Sequence, residues 1–397
     1  MPGGRWPGHL GAPDAPATGR IAVPFAAALS SHPVAATAVG EVIGQVLDGL
    51  GAEPDLAVLF ATGPHTGALE DVVPAVEALL RPDVLLGCTA ESVAGGSVEI
   101  EQAPAIALWA GRFGPVAPVR LRNGELPPDP PFDPEALLLL ADPYTFDALD
   151  FFEALSHRYP GLPVVGGNAS AARGPGGNRL VLGSAIERDG AVGAFLGPGV
   201  RVTPVTSQGC RPIGSPYVVT RSERHVIFEL GSRPALERLM ELVPTLTEDE
   251  VQLINRGGLH VGRVVDESKL EVERGDLLTM NVVGASREEG AIAVSSFVEV
   301  GTTVQFQLRD AASASEDLER LLRAVRSRAG GALLFTCNGR GTRLFPEPHH
   351  DAMSVQEHAG GPALAGIFAA GEFGPIGGRN FVHGFTASVA LFESRGR

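Results

Sequence analysis

Leu56-Ala57-Val58-Leu59-Phe60, then a helical stripe from Leu69 to Leu80, then Val84-Leu85-Leu86-Gly87-Cys88-Thr89-Ala90-Glu91 form the stretch from which the fold is read. The first apolar run has strand length and stops at the turn Thr62-Gly63-Pro64-His65-Thr66. Leu69, Val72, Val73, Val76, Leu79 and Leu80 recur at helical spacing, with Pro74 tolerable only near an irregular helix start. The second apolar run delivers a glycine and small polar residues, and Ala105–Ala110 closes the unit as a further strand. The pattern is βαββ.

Working outward, the pattern recurs twice. Ala136–Leu140, the turn Asp142-Pro143-Tyr144, a helix with Ala148, Phe151, Phe152 and Leu155 on one face, and Pro163-Val164-Val165 lead into Gly166-Gly167-Asn168-Ala169-Ser170. Strands near Leu180–Leu182 and Ala191–Leu196 complete that copy. Near the C-terminus, Ala332–Phe335 runs into Thr336-Cys337-Asn338-Gly339-Arg340-Gly341, and a helix is expected over Asp351–His358. Leu364–Phe368 then precedes Gly371-Glu372-Phe373-Gly374-Pro375, and the copy closes with Phe381–Phe392. Between copies two and three, Arg233-Pro234 opens a helix carrying Leu236, Leu239, Met240 and Val243, and residues 276–308 alternate like a β-meander. Ser313 and Glu316 suggest a capping box ahead of Leu318, Leu321 and Leu322.

The expected fold class is therefore α/β (mixed α+β), with repeated βαββ units forming layered sheets under outer helices. Two such units in one domain would set their sheets face to face. Two domains are expected, 21–205 and 206–397, after a disordered leader over 1–20. The Pro- and Gly-rich segment Gly197–Pro216 marks the boundary.

With 44% hydrophobic and 19% charged residues over 397 positions, the chain has globular composition. Its net charge of −15 argues against nucleic-acid partners, which need clustered cations. Lys269 is the only lysine, so nearly every cation is an arginine. Three widely spaced cysteines, Cys88, Cys210 and Cys337, form neither a disulfide framework nor a zinc motif. No apolar run is long enough for a membrane span, and the leader has no signal-peptide core, so a cytoplasmic protein without membrane contact is expected. No cofactor motif is in place, and the adjacent His349 and His350 point apart, which argues against a metal site and for a solvated helix start with Asp351 near the cap.

Strand ends that open into glycine are places where a ligand can approach the backbone. Four such ends are Cys88–Glu91, Asn168–Ser170, Asn338–Gly341 and Gly371–Asn380. If the copies share one arrangement, these ends could converge on one cleft; the bland alternative is that the glycines only permit tight turns. Candidate ligand-binding residues are Cys88, Glu91, Asn168, Asn338, Arg340, Glu372, Arg379 and Asn380. Arg379 or Arg340 could clamp a carboxylate while Glu372 receives an amino group, a pocket suited to a zwitterion. A Glu372–arginine bridge that only stiffens the loop competes with that reading. Cys88 has the alternatives of nucleophile, in an acyl-transfer or amide-hydrolysing enzyme, and of small core residue. His383 is expected to be a packed strand histidine.

Gly87-Cys88-Thr89-Ala90-Glu91 with Ala103–Trp109 resembles the N-terminal FIST domain (F-box and intracellular signal transduction). Phe335–Gly341 and Ala370–Gly378, continued through Arg379-Asn380-Phe381 to Thr386, resemble the C-terminal FIST domain. The departure at Ser92, where a glycine is usual, affects the local loop. The resemblance implies a sensory module that binds a small ligand such as an amino acid and, with no room for an output domain, signals through a protein partner. A protein–protein scaffold is the remaining alternative.

Overall fold

The structure is a computed structural model that describes residues 24–269, 274–326 and 328–395; the expected leader lies outside the described residues. The first unit comprises β1 (Phe25–Ser30), α1 (Ala35–Leu50), β2 (Leu56–Thr62), α2 (Leu69–Leu80), β3 (Val84–Ala90), the hairpin β4 (Ser92–Gly95) and β5 (Val98–Glu101), and β6 (Ile106–Gly111). The second comprises β7 (Val116–Leu121), β8 (Ala136–Ala141), α3 (Ala148–Arg158), β9 (Val164–Asn168), the hairpin β10 (Leu180–Leu182) and β11 (Ala185–Glu187), and β12 (Ala191–Leu196). The third opens with β13 (Val200–Gln208) and is then interrupted by a long insertion.

The insertion holds β14 (Cys210–Pro212), β15 (Tyr217–Glu223), β16 (Val226–Leu230), the short β17 (Arg233–Pro234), α4 (Ala235–Leu242), α5 (Glu248–Leu253), β18 (Leu259–Val264), β19 (Leu277–Ser286), β20 (Ala291–Val294) and β21 (Thr303–Arg309). Pairing runs β21-β15-β16-β20-β19-β18 and returns to β21, so the expected meander closes into an antiparallel barrel. Closure removes the exposed edges, and Val219, Ile227, Val261, Met280, Ile292, Val304 and Phe306 fill the interior. The third unit resumes with α6 (Ala311–Ala324), β22 (Gly331–Cys337), α7 (His350–His358), β23 (Ala363–Ala369), the hairpin β24 (Glu372–Ile376) and β25 (Arg379–His383), and β26 (Thr386–Ser394). The cap of α6 is Asp310, whose carboxylate accepts from the Ser313 backbone at 2.7 Å. Ser313 is inside the first turn, so the helix starts three residues before the expected cap and a single Asp cap takes the place of the expected capping box.

Each unit pairs two strands in parallel (β2–β3, β8–β9, β22–β23), and its last strand runs antiparallel beside the first of them. The hairpins leave home. β10 adds to β3, β24 to β9 and β4 to β23, so every sheet ends on a hairpin from another unit. The register is the same each time: Val181 faces Gly87, Phe373 faces Gly166, and Ala94 faces Gly366. Three six-stranded sheets therefore enclose one core, where two stacked sheets were expected. The repeat also begins a strand earlier than its periodicity suggested, because β1, β7 and β13 edge the three sheets.

Side-chain alternation sorts each strand between this shared core and the helices outside. Phe60, Leu86, Leu138, Val165, Phe335 and Ile367 point inward, and Phe60 meets Phe335 edge-on at 6.3 Å. The outward residues pack under α1 and α2, under α3, and under α6 and α7. At the core's other end Trp109 stacks near Phe392 at 4.9 Å, and its indole N–H donates to Ala363 O at 3.0 Å, tying the first unit to the third.

Gly87, Gly166 and Gly366 occupy one equivalent position, where the parallel strands approach so closely that a Cβ would lie 2.5, 1.8 and 2.2 Å from the carbonyl oxygens of Leu59, Leu139 and Leu334. Backbone cannot yield to such an overlap, which is why glycine stands at this point of all three copies. Gly366→Ala should destabilise the protein by about 3 kcal/mol. Gly44→Ala, on the exposed face of α1 with nothing within 4 Å, should stabilise it by up to about 1 kcal/mol. Urea-unfolding midpoints check both; equal midpoints for the two variants would refute the equivalence.

Candidate functional site

The three second-strand ends meet. The Ser170 backbone N–H donates to Thr89 O at 3.2 Å, and its hydroxyl accepts from the Glu91 N–H at 2.9 Å and donates to Phe368 O. Asn168 N–H donates to Gly371 O at 2.9 Å, and Ala370 N–H donates to Asn168 O at 3.1 Å. These bonds zip the ends together through their backbones, and the candidate polar side chains lead away in different directions.

Cys88 is inside the shared core opposite Leu180, and burial pushes its thiol up, away from the thiolate a nucleophile needs. The enzyme alternative thereby loses its nucleophile. Glu91 is half-buried, paired with Arg343 at 2.5 Å and accepting from the Gln102 amide at 3.1 Å. Arg340 is wholly buried, and its guanidinium grips Asp351 through Nε at 2.7 Å and Nη2 at 2.8 Å. Burial opposes both charges, yet each partner stabilises the other: the Asp351 carboxyl is held well below the usual carboxylate range and the guanidinium above its ordinary value. Asp351 is thus no solvated cap residue. Its pairing explains why Arg340 is not free to clamp a ligand.

Arg379 and Asn380 fall at the far tip of the β24–β25 hairpin. Glu372 pairs with His383 at one end of that ladder and Ile376 with Arg379 at the other, so the expected Glu372–Arg379 clamp does not form. Arg379 is exposed, with its guanidinium 5.7 Å from the Phe381 ring centroid. The Asn380 amide accepts from Val164 N–H at 2.8 Å and donates to Leu162 O at 2.9 Å, securing the hairpin to the start of β9. His383 is a buried strand histidine whose Nε2 lies 2.9 Å from Gly374 O.

Glu372 stands apart. Its equivalents Val93 and Leu180, each first to pair in its transplanted hairpin, are apolar core residues. In the third unit a fully buried carboxyl takes that place, with the Cys337 thiol alongside. Its Oε2 accepts from the Thr386 hydroxyl at 2.6 Å and the Thr386 N–H at 3.2 Å, while Oε1 has no partner. Burial pushes the carboxyl up to about 8, although the Thr386 hydrogen bonds pull the other way.

The barrel covers this end of the third unit. Arg309 on β21 donates to Gly339 O and lies 4.5 Å over the Phe385 ring, and the His260 ring on β18 lies 4.6 Å from the same ring. Phe385 itself has a left-handed backbone (φ 63°), a conformation costly for an aromatic residue and typical of constrained sites. Arg309 Nε, both ring nitrogens of His260 and the Asn338 side-chain oxygen are buried without partners. Among the described residues no carboxylate pairs with Arg309. Burial holds His260 down at about 4, so it is neutral at physiological pH, with the neighbouring guanidinium adding to the effect. Burial also raises the Cys337 thiol to about 12, with the Glu372 carboxyl adding to the effect. At this junction the third unit contributes a carboxyl and an amide oxygen, and the barrel a guanidinium and an imidazole.

Sequence reasoning missed Arg309, His260, Phe385 and Thr386. The first two belong to the insertion, outside every repeated motif. Among the described residues no cluster of three or more His, Cys, Asp or Glu side chains could hold a metal, and no helix is long and apolar enough to cross a membrane.

The raised Glu372 carboxyl predicts a pH dependence. Between the ordinary carboxylate pKa and about 8 the folded protein keeps a proton that the unfolded chain has released, so stability falls as pH rises through that window. Glu99, also pushed to about 8 by burial and by Asp351, contributes in the same direction. His260 and His383, held down at about 4 by burial, act in the opposite direction below the ordinary histidine pKa, so the test is the difference between profiles. From pH 5 to 8 the melting temperature of wild type should fall relative to that of Glu372→Gln, and parallel profiles would contradict the assignment.

Comparison with known proteins agrees with this architecture. Residues 55–233 match the FIST N domain model and residues 235–375 the FIST C domain model. An uncharacterized protein of Mycobacterium bovis, Mb0898c, is 45% identical over 373 residues, covering 91% of this chain and 96% of its own. An uncharacterized protein of Mycobacterium tuberculosis, Rv0628c, is 45% identical over 354 residues, covering 86% and 92%. The chain belongs to the FIST family of sensory and signal-transduction domains and carries the family's N and C domains together.

Proposed function

We propose that this protein is a cytoplasmic sensor that binds a small polar metabolite of amino-acid type where the barrel covers the third unit. The observation that carries the proposal is the set of unpartnered buried atoms around Phe385: Glu372 Oε1, Asn338 Oδ1, Arg309 Nε and the two nitrogens of His260. Native proteins pair nearly all such atoms, because each one left bare costs about 1–3 kcal/mol. A zwitterion supplies both complements. Its ammonium donates to the Glu372 and Asn338 oxygens, and its carboxylate accepts from Arg309 and His260.

The carboxyl and the guanidinium come from different bodies, the third unit and the barrel. A ligand held between them ties the two together, and a protein partner that touches both surfaces reads that change. The thiols of Cys88 and Cys210, both buried, and of Cys337, half-buried, form no disulfide, which accords with a reducing compartment.

A thermal-shift screen of amino acids and related metabolites tests the proposal. A ligand at a hundredfold excess over its Kd should stabilise the wild type by about 2.7 kcal/mol. Glu372→Gln and Arg309→Met should each weaken the same ligand at least about tenfold, and Arg379→Ala should leave it unchanged. If no compound shifts wild type, or the shift persists undiminished in both seam variants, the proposal fails.

A further inference from the structure

Asn168 and Glu372 stand on opposite faces of one sheet. Val164 packs outward under α3 and Val165 inward, so alternation sends Asn168 outward, while Phe373 packs outward and leaves Glu372 inward. Outside, Asn168 lines a cavity of about 430 Å³ between the β8–α3 connection and β25, together with Asn123, Tyr144, Asp147, Leu149 and Val382. Asn168 is only 7% exposed, and its side-chain oxygen has no donor. The equivalent residue of the first unit, Thr89, is satisfied: its hydroxyl accepts from the Arg179 N–H at 2.9 Å. At that place in the second unit's sheet stands Gly371, which accepts from Asn168 N–H through its carbonyl and makes no such bond to the Asn168 oxygen.

The cavity's chemistry is one-sided. No lysine, arginine or histidine lines it. The N-terminus of α3 is no anion site either, because Asp147 Oδ1 already accepts from Leu149 N–H at 3.1 Å and Asp150 N–H at 3.2 Å. The open acceptors are the Asn168 oxygen and the second carboxylate oxygen of Asp147, beside the Asn123 amide, whose oxygen accepts from the Asp147 N–H at 2.8 Å, and against an apolar wall of Tyr144, Leu149 and Val382. A second cavity of about 250 Å³ adjoins it through Asn123 and Thr145; Arg122 and Asp189, one charge of each sign, line that neighbour and not the first cavity.

We propose that this cavity is a second ligand site, separate from the seam, which takes a small primary amine whose ammonium donates to Asn168 Oδ1 and Asp147 while its alkyl chain rests on Tyr144, Leu149 and Val382. Hydrogen-bonding and ion pairing at a partly enclosed acceptor pair favour the charged amine, and the aromatic wall adds to that preference.

The test titrates n-butylamine, and sodium butyrate at equal ionic strength, into wild type, Glu372→Gln, Asn168→Leu and Leu149→Trp. Melting temperature and the backbone amide resonances of Ala148 and Leu149 (of Ala148 alone in Leu149→Trp) are followed. Butylamine should bind wild type and Glu372→Gln alike, shifting those resonances saturably, and should bind Asn168→Leu and Leu149→Trp at least about tenfold more weakly. Leu149 is exposed, so its tryptophan variant keeps the fold while filling the cavity. Equal responses to butyrate and butylamine, loss of binding in Glu372→Gln, or undiminished binding in Leu149→Trp would overturn the proposal.

Discussion

The exchange of hairpins governs this structure. A parallel pair such as β2–β3 leaves one bare edge, and an exposed edge is both unstable and prone to pair with other chains. Here each edge is closed by a hairpin from elsewhere in the chain, in one register, around a glycine at Gly87, Gly166 or Gly366. The first unit needs the second, the second needs the third, and the third needs the first. No unit completes its sheet alone, so the three sheets and their shared core form one cooperative body that spans both family domains.

Repetition of one device makes its exceptions informative. Val93 and Leu180 complete the core in an ordinary way; Glu372, at their position, places a carboxyl where water cannot reach it. Arg309 repeats the theme from the barrel side, as a partly buried guanidinium that meets a carbonyl and an aromatic face and, among the described residues, no carboxylate. Contrast Arg340 and Asp351, both fully buried and mutually satisfied, which brace the same loop. One ionic pair is closed, whereas Glu372 and Arg309 have no oppositely charged partner among the described residues, and the proposed ligand site rests on that difference.

Much of this was legible in the chain. Leu56–Phe60, Ala136–Leu140 and Ala332–Phe335 are strands because they are short apolar runs between turn residues, and the stripe through Val72, Val76 and Leu80 is the buried face of α2. The glycine-led strand ends were recognisable as one element, and they do meet. Hairpin exchange was not legible, since which edge a hairpin joins depends on packing far away in sequence and leaves no periodic trace. Arg379 drew attention by its closeness to Glu372 in the chain, yet a hairpin carries neighbours to opposite ends. Arg309 and His260 went unnoticed because the barrel's alternating strands give polar outward residues no mark that distinguishes a buried one from a solvated one.

Under the proposed function, Glu372 is a neutral acid that an arriving ammonium converts to a carboxylate. Calorimetric titration of a stabilising amino compound at pH 7, repeated in buffers of different ionisation enthalpy, counts the protons exchanged on binding. Wild type should release about one proton per ligand, and Glu372→Gln none from this site. Binding with no proton release in wild type, or with the same release in both proteins, would contradict that reading.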